Sequence, residues 1–249
     1  MMEPVVTTGL VLRETIYGEA DRILTILSEK FGVITAIARN SMWPRSKLFS
    51  GCGMFCYSEF VLVPGRNMYT VREADPLKFF FDVSSSIEAL SVAEYIAEIA
   101  AALSPAGDEA QRQLRLLLNC LYMICERKTD LHVIKAVLEL RMLSECGFMP
   151  QLACCRDCGA YEGDTFYLDP QEGYLLCADC AAKAGKSCNL DKGALFALRY
   201  ICLTEDKKIF AFKISTDSLK KLSATAECYA LTHLEQPPKT YSFLKNVLP

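Results

Sequence analysis

The chain has few of the residues on which most enzyme active sites depend. Its 249 residues include only two histidines, His132 and His233, each alone on a predicted helix, where a solvated or core histidine fits better than a metal ligand or catalytic base. No glycine-rich phosphate loop and no Gly-x-Ser-x-Gly motif occurs. No pair of acids stands out for acid and base catalysis. We therefore expect a protein that is not an enzyme.

Long apolar runs and an excess of basic charge are also lacking. No apolar stretch reaches the roughly 18 to 20 residues of a membrane-spanning helix, and residues 1–8 carry an acid where an export signal carries basic residues. We expect a cytoplasmic protein with no membrane partner and no small-molecule substrate. The formal net charge of −3 excludes a general electrostatic affinity for nucleic acid, so any such site must be a local patch.

Cysteine, by contrast, is abundant. The thirteen cysteines are an odd number without an export signal, which indicates a reducing compartment. Two Cys-x-x-Cys pairs are separated by eighteen residues, and their members are Cys155, Cys158, Cys177 and Cys180. This spacing predicts a zinc ribbon, in which four thiolates surround one structural Zn²⁺. Four protein sulfurs leave no open coordination position, so we expect no catalysis at the metal.

The sequence leaves two alternatives to this ligand set open. A cysteine-rich chain can form such pairs by chance, and Cys154 could replace Cys155, although its gap to the next cysteine would then be three residues. Gly159 follows the first pair, where a knuckle needs a residue of positive φ. Short apolar runs at 165–168 and 174–176 flank a turn and predict a hairpin that brings the two pairs together.

The first third of the chain predicts a small β-barrel. β-forming residues between turn signals give five strands, at 5–17, 22–28, 33–39, 54–63 and 68–73. Five strands with a longer connection after the third fit a closed barrel of the OB type better than a sandwich, which usually needs about seven.

From residue 84 onward the apolar spacing becomes helical. The predicted helices lie at 84–103, 108–128, 130–147, 191–203 and 217–234, with Asp108 and Asp130 as N-caps of the second and third. We therefore predict an α+β fold. An OB-fold domain at 1–80 is followed by an all-helical domain at 81–249, and the ribbon is inserted in the latter at 153–183.

The predicted barrel carries the one local excess of basic charge. Between residues 39 and 72 there are five basic residues and one acid, Glu59, and the only tryptophan of the chain lies among them. Phosphate neutralisation and an aromatic stacking platform are what a single-strand nucleic-acid site needs. The candidates are Arg39, Trp43, Arg45, Lys47, Arg66 and Arg72. A solvated loop whose Trp43 packs back onto the barrel explains the same residues equally well.

Several stretches over nearly the whole length match one known family. They are Gly9–Arg13, Tyr17–Arg22, Phe31–Gly32, Pro44–Leu48, the four-cysteine ribbon, and C-terminal residues that include His233, Leu234, Lys239 and Ser242–Leu244. On these stretches the chain resembles the RecO family of bacterial recombination mediators. Two departures are visible: residues 40–43 hold no basic side chain where the family often has arginine or lysine, and Gly173 is single where the family has two glycines.

The resemblance implies an OB-fold, a helical domain and a zinc site in a DNA-repair protein of the RecF pathway. It implies binding of single- and double-stranded DNA and annealing of complementary strands without nucleotide hydrolysis. It also implies two protein partners, RecR and the acidic, apolar-ended C-terminal tail of the single-strand binding protein SSB, so that RecA loads on SSB-coated DNA. Arg112, Arg115 and Arg141 on the helices are candidates for contact with that tail.

Two other classes of function stay open from the sequence alone. One is a zinc-ribbon adaptor of transcription or translation that binds RNA or protein through the barrel. The other is an enzyme whose site has no recognisable motif. Annealing of complementary oligonucleotides without ATP would distinguish the repair protein from both.

Overall fold

A computed structural model describes residues 3–248 of the protein. The chain forms two compact units, one from the residues up to 127 together with those from 239 onward, and the other from residues 128–238. Within the described residues, no helix combines the length and the apolar character that crossing a membrane requires.

The first unit contains the predicted barrel, and the structure confirms it as closed and five-stranded in the order β1-β2-β3-β5-β4. Its strands are β1 (Val5–Tyr17), β2 (Asp21–Ser28), β3 (Gly32–Ala38), β4 (Cys56–Val63) and β5 (Tyr69–Phe79). Every second residue of β3 and β4 is buried, as a half-buried strand requires. The last strand continues to Phe79, beyond the predicted end at Glu73.

The long connection between β3 and β4 caps one end of the barrel. Leu48 and Cys52 of this connection are buried in the barrel core together with Val11, Leu24 and Phe60. The connection is therefore packed onto the barrel through its buried apolar side chains and is not a free loop.

Three helices complete the first unit: α1 (Ile87–Leu103), α2 (Gln111–Glu126) and α7 (Tyr241–Val247). Ser86 caps α1 by accepting a hydrogen bond from the Ala89 N–H, in agreement with the predicted helix start. The prediction of Asp108 as the cap of α2 is wrong. The helix begins at Gln111, and the Ala110 N–H before it donates instead to the Glu29 carbonyl at the end of β2.

The α1–α2 connection is bound to the turn between β2 and β3. The Val33 N–H donates to the Pro105 carbonyl at 2.9 Å, and the Gly107 N–H donates to the Phe31 carbonyl at 3.0 Å. Gly32 has φ +60, and a Cβ there would lie 1.9 Å from the Pro105 oxygen, so only glycine fits. These bonds place α1 and α2 with the barrel, whereas the sequence predicts a domain boundary after residue 80. That boundary stays a prediction.

The second unit combines the other helices with the cysteine-bearing segment. Its helices are α3 (Leu131–Glu145), α4 (Ala178–Lys183), α5 (Lys192–Leu203) and α6 (Thr216–His233), and its strands are β6 (Gln151–Cys155), β7 (Thr165–Leu168), β8 (Tyr174–Cys177) and β9 (Leu190–Asp191). The sheet order is β6-β8-β7-β9. Asp130 caps α3 as predicted, and Asp191 and Ser215 cap α5 and α6.

Candidate metal centre and nucleic-acid surface

The four cysteines of the two predicted pairs meet at one point. Their Sγ atoms all lie within 4.8 Å of one another, and the cluster consists of Cys155, Cys158, Cys177 and Cys180. Strand β6 supplies the first, the following turn the second, the end of β8 the third and α4 the fourth. Cys154 is outside the cluster, so the alternative pairing is not what the fold uses.

Local backbone geometry explains why these sulfurs converge. Strands β7 and β8 pair antiparallel, which confirms the predicted hairpin. At its turn, the Asp169 carboxylate accepts hydrogen bonds from the backbone N–H groups of Gln171 and Glu172. In the first knuckle Gly159 has the expected positive φ, +73, and its N–H donates to the Cys155 carbonyl at 2.9 Å. The sequence therefore dictates both halves of the cluster locally.

The spacing and protonation of the sulfurs fit a divalent cation. A tetrahedral shell with metal–sulfur bonds of about 2.3 Å separates its sulfurs by about 3.8 Å, and the Sγ atoms of Cys158 and Cys177 are 3.6 Å apart. Burial raises the pKa of Cys155, but backbone N–H groups of Cys177, Cys158 and Asp157 outweigh burial and lower this pKa to about 6.

The neighbouring thiols of Cys177 and Cys158 raise the pKa of Cys180 to about 12. One thiolate therefore forms readily, whereas the crowded sulfurs resist carrying several negative charges together unless a cation neutralises them. The donor set thus suits a metal that prefers thiolates and takes four of them.

Arg199 of α5 fixes the cysteine-bearing segment to the helices of the second unit. Its Nε donates to the Leu152 carbonyl at 2.8 Å, and its Nη2 donates to the Tyr161 carbonyl at 3.1 Å. The guanidinium also lies over the Tyr161 ring, 4.2 Å from its centroid.

Beside this contact lies an open groove of about 520 Å³. Its apolar lining includes Leu195, Phe196 and Leu203, of which Phe196 is 62% exposed, and its charged lining consists of two basic residues, Lys192 and Arg199, and one acid, Glu162. An exposed apolar surface with cationic neighbours is a candidate for binding another protein segment.

The six predicted nucleic-acid residues all lie on the barrel, and all are exposed. None of these side chains forms a hydrogen bond, ion pair or ring contact within residues 3–248, so their charges and the indole are available to a ligand. They are Arg39, Trp43, Arg45, Lys47, Arg66 and Arg72.

Strand pairing brings two of these residues together and separates another. Strands β3 and β5 are parallel, with Ile37 opposite Thr70. Arg39 and Arg72 each follow this pair by two residues, so both lie toward the same end of β3 and β5, where β5 has a bulge at Arg72. Arg66 lies apart, in the bend between β4 and β5.

Trp43, Arg45 and Lys47 lie in the segment 40–49 that begins the barrel cap, and Trp43 is 60% exposed. Successive turns shape this segment, with the Trp43 N–H donating to the Asn40 carbonyl and the Ser46 N–H donating to the Trp43 carbonyl. The exposure of Trp43 does not fit the alternative in which its side chain packs back onto the barrel.

A residue outside the predicted set, Arg22, fixes this segment from below. Its guanidinium is almost buried, with Nε 3.2 Å from the Met42 sulfur, Nη1 donating to the Phe49 carbonyl at 3.4 Å, and Cζ 5.5 Å from the Phe49 ring centroid. Glu14 pairs with it at 3.5 Å. The sequence carries a signal for this role, because Arg22 stands at an inward-facing position of a strand, in line with Leu24.

The fold also brings two acids, Glu14 and Asp21, close to the segment 40–49. The count of charges between residues 39 and 72 does not include them. The Asp21 carboxylate accepts a hydrogen bond from the Asn40 N–H at 2.8 Å, and Glu14 pairs with Arg22. Glu14 is thus paired with a cation, whereas the Asp21 carboxylate bonds to a neutral backbone N–H, and with the exposed Glu19 it keeps some negative charge near the basic segment.

Family models match nearly the whole chain. The model described as "Recombination protein O N terminal" matches residues 2–80, and that described as "Recombination protein O C terminal" matches residues 84–242. The chain belongs to the RecO family. The resemblance drawn from the sequence is thereby confirmed.

RecO relatives match nearly the whole chain. The DNA repair protein RecO of Acetivibrio thermocellus is 34% identical over 241 residues, which is 97% of this chain and 96% of the relative. The protein of the same name from Alkaliphilus metalliredigens is 29% identical and covers 92% of this chain and 94% of the relative. That from Dehalococcoides mccartyi is 28% identical, with 97% and 95% covered.

The three arginines that are candidates for contact with the SSB tail differ in exposure and in their internal ion pairs. Arg141 is engaged inside the second unit: it pairs with Glu145 at 3.0 Å and with Asp206 at 2.7 Å and donates to the Cys202 carbonyl at 2.9 Å. Arg112 and Arg115 are exposed on α2.

The first testable consequence concerns Arg22. Replacing Arg22 by Leu removes the buried contacts to Phe49 and Glu14, and we expect unfolding free energy to fall by about 1 to 3 kcal/mol. Arg13→Leu, at an exposed arginine of β1 for which the described residues provide no partner, should change it by no more than about 0.5 kcal/mol. Urea denaturation followed by circular dichroism measures both. Equal losses in the two variants would contradict the anchoring role.

Proposed function

We propose that this chain is a recombination mediator that binds single- and double-stranded DNA and anneals complementary strands without ATP. Working with RecR, it helps to load RecA onto SSB-coated DNA. Membership in the RecO family supports the repair role. The observation that carries the DNA-binding part is the anchored segment 40–49, which presents unpaired cations and an exposed indole at one end of the barrel.

The chemistry of this surface suits a single strand. Cations of the segment, with Arg39 and Arg72 beside them, neutralise phosphates, and the Trp43 ring offers a flat apolar face to a base. Phosphates carry no base identity, so binding is independent of sequence. Neutralised strands also repel each other less, which favours annealing with no covalent step. We therefore propose that the protein acts on DNA without being an enzyme.

We propose that the four-cysteine cluster holds one Zn²⁺ in a structural role. Cys155, Cys158, Cys177 and Cys180 would supply all four ligands. Bound zinc would supply thiolate–metal bonds that join β6, β8 and α4, and no step of DNA binding depends on it. The adaptor alternative uses the same zinc ribbon, but its RNA or protein target has no separate support in the fold.

We further propose that the groove beside Arg199 receives the SSB tail. A tail that is acidic and ends in apolar residues would place its end against Phe196 and Leu203 and its carboxylates toward Lys192. The engagement of Arg141 in internal ion pairs favours this groove over that arginine as the docking point.

Salt dependence tests the DNA surface. If about five phosphates are neutralised, log K against log salt should slope at roughly −3 to −4 for single strands and −4 to −5 for duplex. Replacing Arg45 and Lys47 together by Ala should make the slope shallower by about 1.5 to 2. The matched pair Lys213 and Lys220, exposed in the second unit, should not alter it. If the double variant of Arg45 and Lys47 has the same salt slope as the wild type, DNA does not bind at this surface.

Annealing without ATP tests the mediator role and the groove together. The wild-type protein should accelerate annealing of complementary oligonucleotides, both naked and coated with SSB. Phe196→Ala should slow annealing on SSB-coated strands, because the Phe196 side chain lines the groove proposed for the SSB tail. Annealing of naked strands should not change, because this side chain is 62% exposed and its loss should not disturb the fold. No acceleration on naked strands would contradict the mediator function, and equal effects of Phe196→Ala on both substrates would contradict the tail site.

Metal analysis tests the zinc. We expect about one zinc per chain, because four-thiolate ligation contributes on the order of 10 kcal/mol to folding in small ribbons. Replacing Cys155 and Cys158 together by Ser should remove the metal and destabilise the second unit, with little effect on DNA affinity. Cys154→Ser, next to the cluster but outside it, should keep the metal. Zinc far below one equivalent, or zinc retained in the double variant, would refute the assignment.

A further inference from the structure

The outer face of the barrel extends the predicted surface toward β1. Tyr17 is opposite Asp21 where β1 pairs with β2, and Arg22 is opposite Ala38 where β2 pairs with β3. Continuing the second register by one residue places Asp21 beside Arg39. Since Arg39 and Arg72 lie toward the same end of β3 and β5, the same end of the barrel carries exposed or half-buried residues on four neighbouring strands, and these are Tyr17, the acid Asp21, Arg39 and Arg72.

Arg13 shares this face with Tyr17. Residues two and four apart along a strand point to the same side, and Arg13, opposite Thr25, lies four residues before Tyr17. Both side chains are exposed. The outer face therefore offers an aromatic ring and further basic charge at the end opposite to Arg72.

Tyr17 has no evident role in the stability of the fold. Its side chain is 56% exposed, and the described residues supply it with no hydrogen bond and no ring contact. Its neighbour Ile16 is 66% exposed. Large exposed side chains at the tip of a strand pair are a common basis for contact with a ligand.

Two hydrogen bonds fix the tip that carries Tyr17 against the segment that carries Trp43. The Met42 N–H donates to the Ala20 carbonyl at 2.9 Å, and the Asn40 N–H donates to the Asp21 carboxylate at 2.8 Å. The exposed rings of Tyr17 and Trp43 are therefore carried by backbone that is held together before any ligand binds.

We propose that Tyr17 is a second base-stacking platform of the single-strand site and that Arg13 contacts a phosphate. In this proposal the single-stranded DNA lies on the outer face of β5, β3, β2 and β1 and runs perpendicular to these β-strands. Three strand spacings of about 4.8 Å span roughly 14 Å, which accommodates about four nucleotides at a rise of 3.4 Å and fewer when the strand is extended. This inference rests on the proposed DNA-binding function.

Substitution of Tyr17 tests the platform. Tyr17→Ala should weaken binding of a single-stranded oligonucleotide about 5- to 150-fold, the range for loss of one stacked base. The salt slope should not change, and duplex affinity should fall less, because paired bases are not free to stack on the ring. Tyr17→Phe, which keeps the ring, should bind like the wild type. Tyr122→Ala, at a tyrosine of α2 that is 50% exposed, is the matched control and should have no effect.

The charge contribution is tested in the same titrations. Arg13→Ala should make the single-strand slope shallower by about 0.7, whereas Lys220→Ala on α6 should leave it unchanged. Fluorescence anisotropy of a labelled oligonucleotide measures affinity and slope for every variant.

The outcomes separate this inference from the function on which it rests. If Arg45 and Lys47 govern the slope while Tyr17→Ala binds within twofold of the wild type, the second platform is refuted and the DNA site stands. If Tyr17→Phe is as weak as Tyr17→Ala, the hydroxyl and not the ring matters, and stacking is refuted. If no barrel variant changes affinity, both proposals fail.

Discussion

The proposed DNA surface depends on one almost buried guanidinium, that of Arg22. It reaches the sulfur of Met42 and the carbonyl and ring of Phe49, at either end of the exposed segment, and it is neutralised by Glu14. A cation in this position costs desolvation free energy, which its contacts must offset. In return, the segment presents its own cations and indole on a rigid base, so less conformational entropy is lost when DNA binds.

In the second unit, four cysteine sulfurs lie within 4.8 Å of one another. The strands of this unit bury Phe166, Leu168, Leu175 and Leu176, and metal bonds to the four cysteines would further hold β6, β8 and α4 together. Arg199 then ties this segment to α5 through backbone carbonyls. The groove formed beside that contact exposes Phe196 and Leu203. The four-cysteine cluster and the groove proposed to bind the SSB tail thus both belong to the second unit.

Features that depend on short stretches of sequence were predictable. Gly159, the hairpin turn at Asp169, and the caps Asp130 and Ser86 all act on residues within a few positions. The cap of α2 was not predictable, because the Ala110 N–H bonds to Glu29, far away in the sequence.

The grouping of α1 and α2 with the barrel likewise follows from long-range bonds around Gly32. The basic candidates were found from composition. Their arrangement was not, since the row from Tyr17 to Arg39 exists only once strand register is known. The alternation with Leu24 signals in the sequence that Arg22 faces inward, but its contacts with Met42 and Phe49 are long-range and needed the structure.

The fluorescence of Trp43 tests the central claim most directly, because it is the only tryptophan in the chain. Stacking on a base quenches indole emission and shields it from solvent. Titration with a single-stranded oligonucleotide should therefore quench the emission in parallel with binding measured by anisotropy, and the bound protein should resist quenching by acrylamide. Full binding with emission and acrylamide accessibility unchanged would show that DNA does not contact this segment, and would contradict the account.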